Sequence, residues 1–147
     1  MITNPDKALL LKFMEDPSAP MTVDSNPLAK ALRCRLLAAD PSGSVRLDFE
    51  PDETFIQGNN AVQGGAVAAM LDFAMAFAGL AALPGDQGGA TVSMTVNYLK
   101  PVTAGRYQAV GVLERKGRTI LFASSELRLV EGDVLVANAT SVLAVVP

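Results

Sequence analysis

The sequence contains no histidine and a single cysteine, Cys34. Without histidine, a Ser-His-Asp or Cys-His mechanism has no base. One thiol and no imidazole cannot assemble a zinc site of the usual kinds. No intrachain disulfide can form either, which points to a reducing compartment. Charge is sparse: 18% of the 147 residues are charged, the net charge is −3, and no basic stripe marks a nucleic-acid binder. Neither GxxxxGK[ST] nor a GxGxxG after a strand pattern occurs, so phosphate-loop and dinucleotide chemistry lack their loops. The N-terminal "MITNPDKALLLKFMEDP" lacks a basic n-region and a long apolar core, and the expectation is a cytoplasmic protein. Any chemistry must come from carboxylates, hydroxyls, amides or the backbone.

What is present is apolar material, 50% of the chain, enough for one domain over residues 1–147. Residues 5–15 pattern as a short amphipathic helix between Pro5 and Pro17. "PSAPMTVDSNP" reads as a proline-broken loop, so residues 1–27 form an N-terminal helix and loop. Leu32, Cys34 and Leu36 alternate with Arg33 and Arg35, and Val45, Leu47 and Phe49 alternate with Arg46, Asp48 and Glu50; with "DPSG" between them they predict a hairpin. Cys34 reads as a small buried hydrophobe on that strand. A polar connection, residues 51–62, precedes the most apolar segment. From Ala66 to Leu83 the chain is rich in Ala, Leu and Met, stops at Pro84-Gly85, and is apolar on every face apart from Asp72. A central Asp costs roughly 2.5–3.5 kcal/mol in a bilayer, and no Lys or Arg flanks the segment, so it reads as a buried helix and not a membrane span. Four strand patterns follow. In the first, Val92, Met94, Val96 and Tyr98 alternate with Thr91, Ser93, Thr95 and Asn97. Lys116-Gly117-Arg118 and Glu131-Gly132-Asp133 mark later hairpin turns. One helix among runs of strands predicts an antiparallel α+β domain. A single sheet cannot enclose so apolar a helix, and a second copy of the chain is the expected cover.

The order of these elements, the double glycine in "VQGGAVAAMLDFAMAFAG" and the strand end in "TVSMTVNYLKPVTAG" resemble the hotdog-fold acyl-CoA thioesterases, nearest to the phenylacetate-pathway and 4-hydroxybenzoyl-CoA branch. The likeness covers about residues 28–146. It implies a curved antiparallel sheet wrapped around one long helix, a homodimer or dimer of dimers, an acyl-CoA substrate, and no cofactor, nucleic acid or membrane. Residue by residue, it assigns Gln57 to the amide ahead of the helix and Gly64 to the backbone N–H that meets the thioester carbonyl. It assigns Asp72 to the helix carboxylate and Thr91 to the hydroxyl that holds water. Gln63, Gly65 and Asn60 are candidate substrate contacts beside them, and Lys116 and Arg118 could meet the phosphates of coenzyme A. Two positions depart from the family: Gln63 stands where many members carry histidine, and Ala76 where some carry Ser or Thr. A non-catalytic acyl-CoA or fatty-acid binding module is therefore the alternative reading.

The chemistry of these residues supports the assignment. A helix start leaves unpaired N–H groups and about +0.5 charge, which suits a carbonyl oxygen gaining negative charge. Glycine there lets a substrate approach the backbone. Asp72 has no cation within a helical turn, so it either finds a partner such as Arg118 or a backbone amide, or lines a pocket as base or nucleophile. Gly64 and Asp72 are eight residues apart, about 12 Å along one helix. One helix cannot easily bring both to one thioester. Two antiparallel helices from two subunits can.

Overall fold

A computed structural model of the protein describes residues 1–147. Helix α1 (Pro5–Glu15) begins with proline at a position that needs no N–H, and Asn4 caps it by accepting from the amides of Asp6 and Lys7. Leu10 and Phe13 anchor it in the core. The loop expected after it holds two short elements, β1 (Met21–Thr22) and α2 (Pro27–Ala31). The predicted strand through Leu32 and Cys34 is corrected here. β2 spans Arg35–Asp40, while Leu32 closes α2 and Arg33 turns the chain at φ +54°. Both Leu32 and Cys34 are buried, because a helix end followed by a tight turn also places every second residue inward. Burial pushes the Cys34 thiol pKa up, as befits an inert core side chain.

β2 pairs with β3 (Ser44–Phe49) through the expected turn. A short 3₁₀ turn, Glu53–Phe55, leads to α3 (Gly64–Ala82). Then come β4 (Gly88–Tyr98), β5 (Tyr107–Lys116), β6 (Ile120–Leu129) and β7 (Val134–Val146). All pairs are antiparallel, in the order β1-β2-β3-β5-β6-β7-β4. With α3 on the concave face of the curved sheet this is the expected hotdog architecture.

α3 lies unusually close to the sheet. A Cβ on Gly111 of β5 would fall 2.0 Å from the carbonyl oxygen of Ala74, so only glycine fits. Beside it Ser125 donates to the carbonyl of Leu71 at 3.1 Å. Met70, Leu71, Met75 and Phe77 fill the space between, each contributing about 1.5–3 kcal/mol by leaving water. α3 is long and apolar enough to cross a membrane, yet its sheet-facing sides are buried in this fold. It is not buried all round within one chain. Gly65, Ala68, Ala69, Asp72 and Ala76, spaced three or four apart, keep an outward stripe uncovered.

Candidate active site

Asp72 sits half-buried on that stripe, beside the sheet edge formed by β4. Simple alternation along β4 would turn Thr91 away from the face that carries Met94 and Val96. A bulge between Thr91 and Ser93 changes this. Val92 takes the unpaired position and is 64% exposed, while Thr91 pairs with the buried Leu143 and comes round to the helix side. Its Oγ1 then donates to Asp72 Oδ1 at 2.9 Å. Asp72 joins no ion pair, with Arg118 or any other cation, and accepts from no backbone amide. Oδ2 has no partner in the chain and is not sealed from solvent. A carboxylate with one oxygen held and the other open can take a proton from water or attack a carbonyl carbon.

The start of α3 is the second half of the site. Gln63 occupies the cap position without a side-chain cap bond. The amides of Ala66 and Val67 donate to the Gln63 carbonyl, whereas those of Gly64 and Gly65 donate to no acceptor in the chain. Tyr98, at the end of β4, donates its hydroxyl to the Gly64 carbonyl at 2.7 Å and so fixes this turn. The sequence did not single Tyr98 out, because it continues the alternation of Met94 and Val96 and reads as core; it is 53% exposed.

Gln57 and Gly64 line one cavity of about 390 Å³, together with Tyr98, Leu99 and Lys100. Gln57 Oε1 is engaged by the Asn59 amide within the loop, which leaves its Nε2 as the group free to donate. Asn60 follows in the left-handed region at φ +60°, exposed, its amide donating to the Gln57 carbonyl at 3.0 Å. Gln63 and Gly65 line a second cavity on the other flank of the helix start. Lys116 stands at the opposite end of α3, where its Nζ donates to the Ala82 carbonyl at 2.7 Å, and Arg118 lies exposed across the adjoining turn. Neither lines either cavity, whereas Lys100, which the sequence did not flag, lines the one with Gln57 and Gly64. One chain thus brings Asp72 to Thr91, and Gln57 to Gly64, but leaves the two pairs about two helical turns apart along α3.

A family model described as the thioesterase superfamily matches residues 59–136, which include the helix start, Asp72 and β4. No curated protein matches the sequence. Among solved structures, a phenylacetic acid degradation-related protein of Ralstonia eutropha JMP134 is 27% identical, with 92% of this chain and 98% of that one covered and a TM-score of 0.79. The phenylacetic acid degradation protein PaaI of Thermus thermophilus, solved as a point mutant, is 24% identical over 81% of this chain and 98% of that one, with a TM-score of 0.72. A Streptococcus mutans UA159 protein bound to acetyl-CoA is 18% identical over 76% and 86%, with a TM-score of 0.69. The match over more than half of the chain, falling on the helix and edge strand that carry these groups, makes the protein a member of the thioesterase superfamily.

Proposed function

We propose that the protein hydrolyses acyl-CoA thioesters to the free acid and coenzyme A, as a cytoplasmic two-fold dimer with each site shared between subunits. The observation that carries this is Asp72: half-buried, held by Thr91 at 2.9 Å, and free of any cation. The acetyl-CoA on the Streptococcus relative supports the substrate class. Unpaired β4 backbone along the sheet edge and the small outward stripe of α3 support a second copy as cover. For Asp72 of one chain to face Gly64 of the other, antiparallel helices must cross at residue 68. Ala68 stands there, small enough for a close crossing.

In this site the Gly64 amide of one subunit donates to the thioester oxygen, and Gln57 Nε2 steadies the same group. Asp72 of the other subunit takes a proton from a water held at Thr91, and the hydroxide adds to the carbonyl carbon. The tetrahedral oxyanion collapses, the C–S bond breaks, and the thiolate leaves and takes up a proton. In the nucleophilic variant the carboxylate adds to the carbonyl carbon first, the C–S bond breaks as the thiolate leaves and takes up a proton, and water hydrolyses the resulting anhydride. Turnover in ¹⁸O-water under single-turnover conditions separates them, because only the anhydride route can leave label in Asp72.

Two variants test the shared site. Asp72→Asn removes the base at nearly constant shape and should lower kcat by about 10²–10⁴. Gly64→Pro removes one N–H at a position where proline suits a helix, and should cost about 10²–10³. Mixed together, the two inactive proteins form heterodimers with one intact site, so roughly a quarter of wild-type activity returns on statistical mixing of a two-fold dimer. No recovery with demonstrated subunit exchange would sink the shared site. Gln63 in the family's histidine position favours the second reading, a binding module. Wild type and Asp72→Asn that bind acyl-CoA equally and turn over none would establish it.

A further inference from the structure

A thioester has two arms that diverge from its carbonyl, and two cavities flank the Gly64–Gly65 turn. Their walls differ. The cavity with Gln57 and Tyr98 has a cationic residue, Lys100, in its lining. The other, also about 390 Å³, is walled by Leu28, Phe55, Ile56, Ala66 and Ala69, with Thr54 and Gln63 as its only polar side chains. None of its lining residues is ionisable. Gly65, whose amide has no acceptor in the chain, forms part of its edge. Ala69 carries the wall toward Asp72, three residues on. Leu28, Phe55 and Ile56 lie before residue 59, ahead of the stretch that the family model matches.

We propose that this second groove takes the acyl arm of the substrate, and that the arm is an uncharged hydrocarbon chain ending against Leu28, Phe55 and Ile56. The inference rests on the thioesterase reading above and adds substrate class and the residues that set it. A carboxylate or ammonium at the end of the chain would lose its hydration with no partner among these walls. Each methylene that enters leaves water against apolar surface. The coenzyme A arm then runs through the Gln57 cavity toward Lys100.

The test is a panel of straight-chain acyl-CoAs from two to twelve carbons, with length-matched acyl-CoAs that end in a carboxylate. kcat/KM should rise about fourfold per methylene until the groove is full, and the terminal carboxylate should lower it at least about a hundredfold. Phe55→Ala should move the optimum to longer chains and Ala69→Leu to shorter ones. If both variants keep the wild-type length profile while Asp72→Asn still abolishes turnover, the groove assignment falls and the thioesterase reading stands. Equal turnover of carboxylate-ended substrates overturns it as well. If the wild type turns over no thioester, calorimetry with the thioether S-octyl-CoA decides. Binding about tenfold weaker to Ala69→Leu keeps the assignment. Equal binding, with only the dimer constant altered, makes the groove a protein contact and ends it.

Discussion

At its C-terminal end α3 is held by two ammonium groups: Lys7 of α1 donates to the carbonyls of Leu80 and Leu83 at 2.5 and 2.6 Å, and Lys116 of β5 to that of Ala82 at 2.7 Å. At its N-terminal end the amides of Gly64 and Gly65 donate to nothing. The other helices do not share this asymmetry, since α1, α2 and the 3₁₀ turn each receive a side-chain cap, from Asn4, Asn26 and Asp52. Cations near the C-terminal carbonyls complement the helix dipole, typically by about 0.3–1 kcal/mol each, and serve the fold alone. An uncapped start forgoes about 1 kcal/mol but keeps two donors free, as the proposed thioester chemistry requires. The stability of α3 is concentrated at one end, and the proposed chemistry draws on the free donors at the other.

That division predicts which measurement each substitution moves. Lys7 is 2% exposed, and burial pushes its ammonium pKa down while Asp86 opposes the shift. Lys7→Met strips two carbonyls of a charged donor and should lower the unfolding free energy by about 2–3 kcal/mol in urea titrations. kcat of the remaining folded protein should not change. Lys116, at the surface, should give under about 1 kcal/mol on the same change. A large fall in kcat for Lys7→Met with the fold intact would mean the two ends are coupled, and the division would fail.

The opposite end should respond in the opposite sense. Gln63→Ser supplies the missing cap, its Oγ competing for the Gly65 or Ala66 amide. The protein should gain about 1 kcal/mol and lose activity by at least about tenfold, a part of what deleting a donor costs. A more stable variant with full activity would show that the free amides are not used. Tyr98→Phe is the milder probe. Loss of the 2.7 Å bond to the Gly64 carbonyl should cost about 0.5–1 kcal/mol of stability and lower kcat several-fold with KM little changed, because it loosens the donor turn without removing it.

How much of this was legible in the sequence follows from the range of each signal. α1 and α3 were bounded by prolines and glycines acting within a few residues, and the later hairpins by Gly117 and Gly132. α2 was missed because five residues after a proline are too few to show a helical period, and Leu32 and Cys34 copied a strand's alternation. The spacing of Gly64 and Asp72 was readable along one helix. The Thr91–Asp72 bond was not derivable from alternation, since the bulge at Val92 reverses the face of Thr91; the family resemblance assigned each a role, as carboxylate and as water-holding hydroxyl, without joining them. The roles of Lys7 and Lys116 were hidden for a related reason. A lysine gives no periodic signal, and its acceptors lie 73 to 76 residues away for Lys7 and 34 for Lys116.

The smallest effect expected concerns Asp86, in the loop just beyond the lysine-held end. Its carboxylate accepts from the Thr3 hydroxyl and from the amides of Thr3 and Asn4, the latter two at 3.0 and 3.1 Å. Those bonds hold its pKa below the ordinary 3.8. Because the folded value is the lower one, the contribution is present above 3.8, the value of the unfolded chain, and is lost as pH falls through the folded value. Asn4 caps α1, so releasing Asp86 should loosen the cap, and the amides of Asp6 and Lys7 should lose protection in hydrogen exchange between about pH 5 and pH 2. In Asp86→Asn the protection should be weak at both pH values and the step should disappear. A step of equal size in that variant would assign the loosening to another carboxylate. The α3 start, which contains no carboxylate within its first turn, should show no step at all.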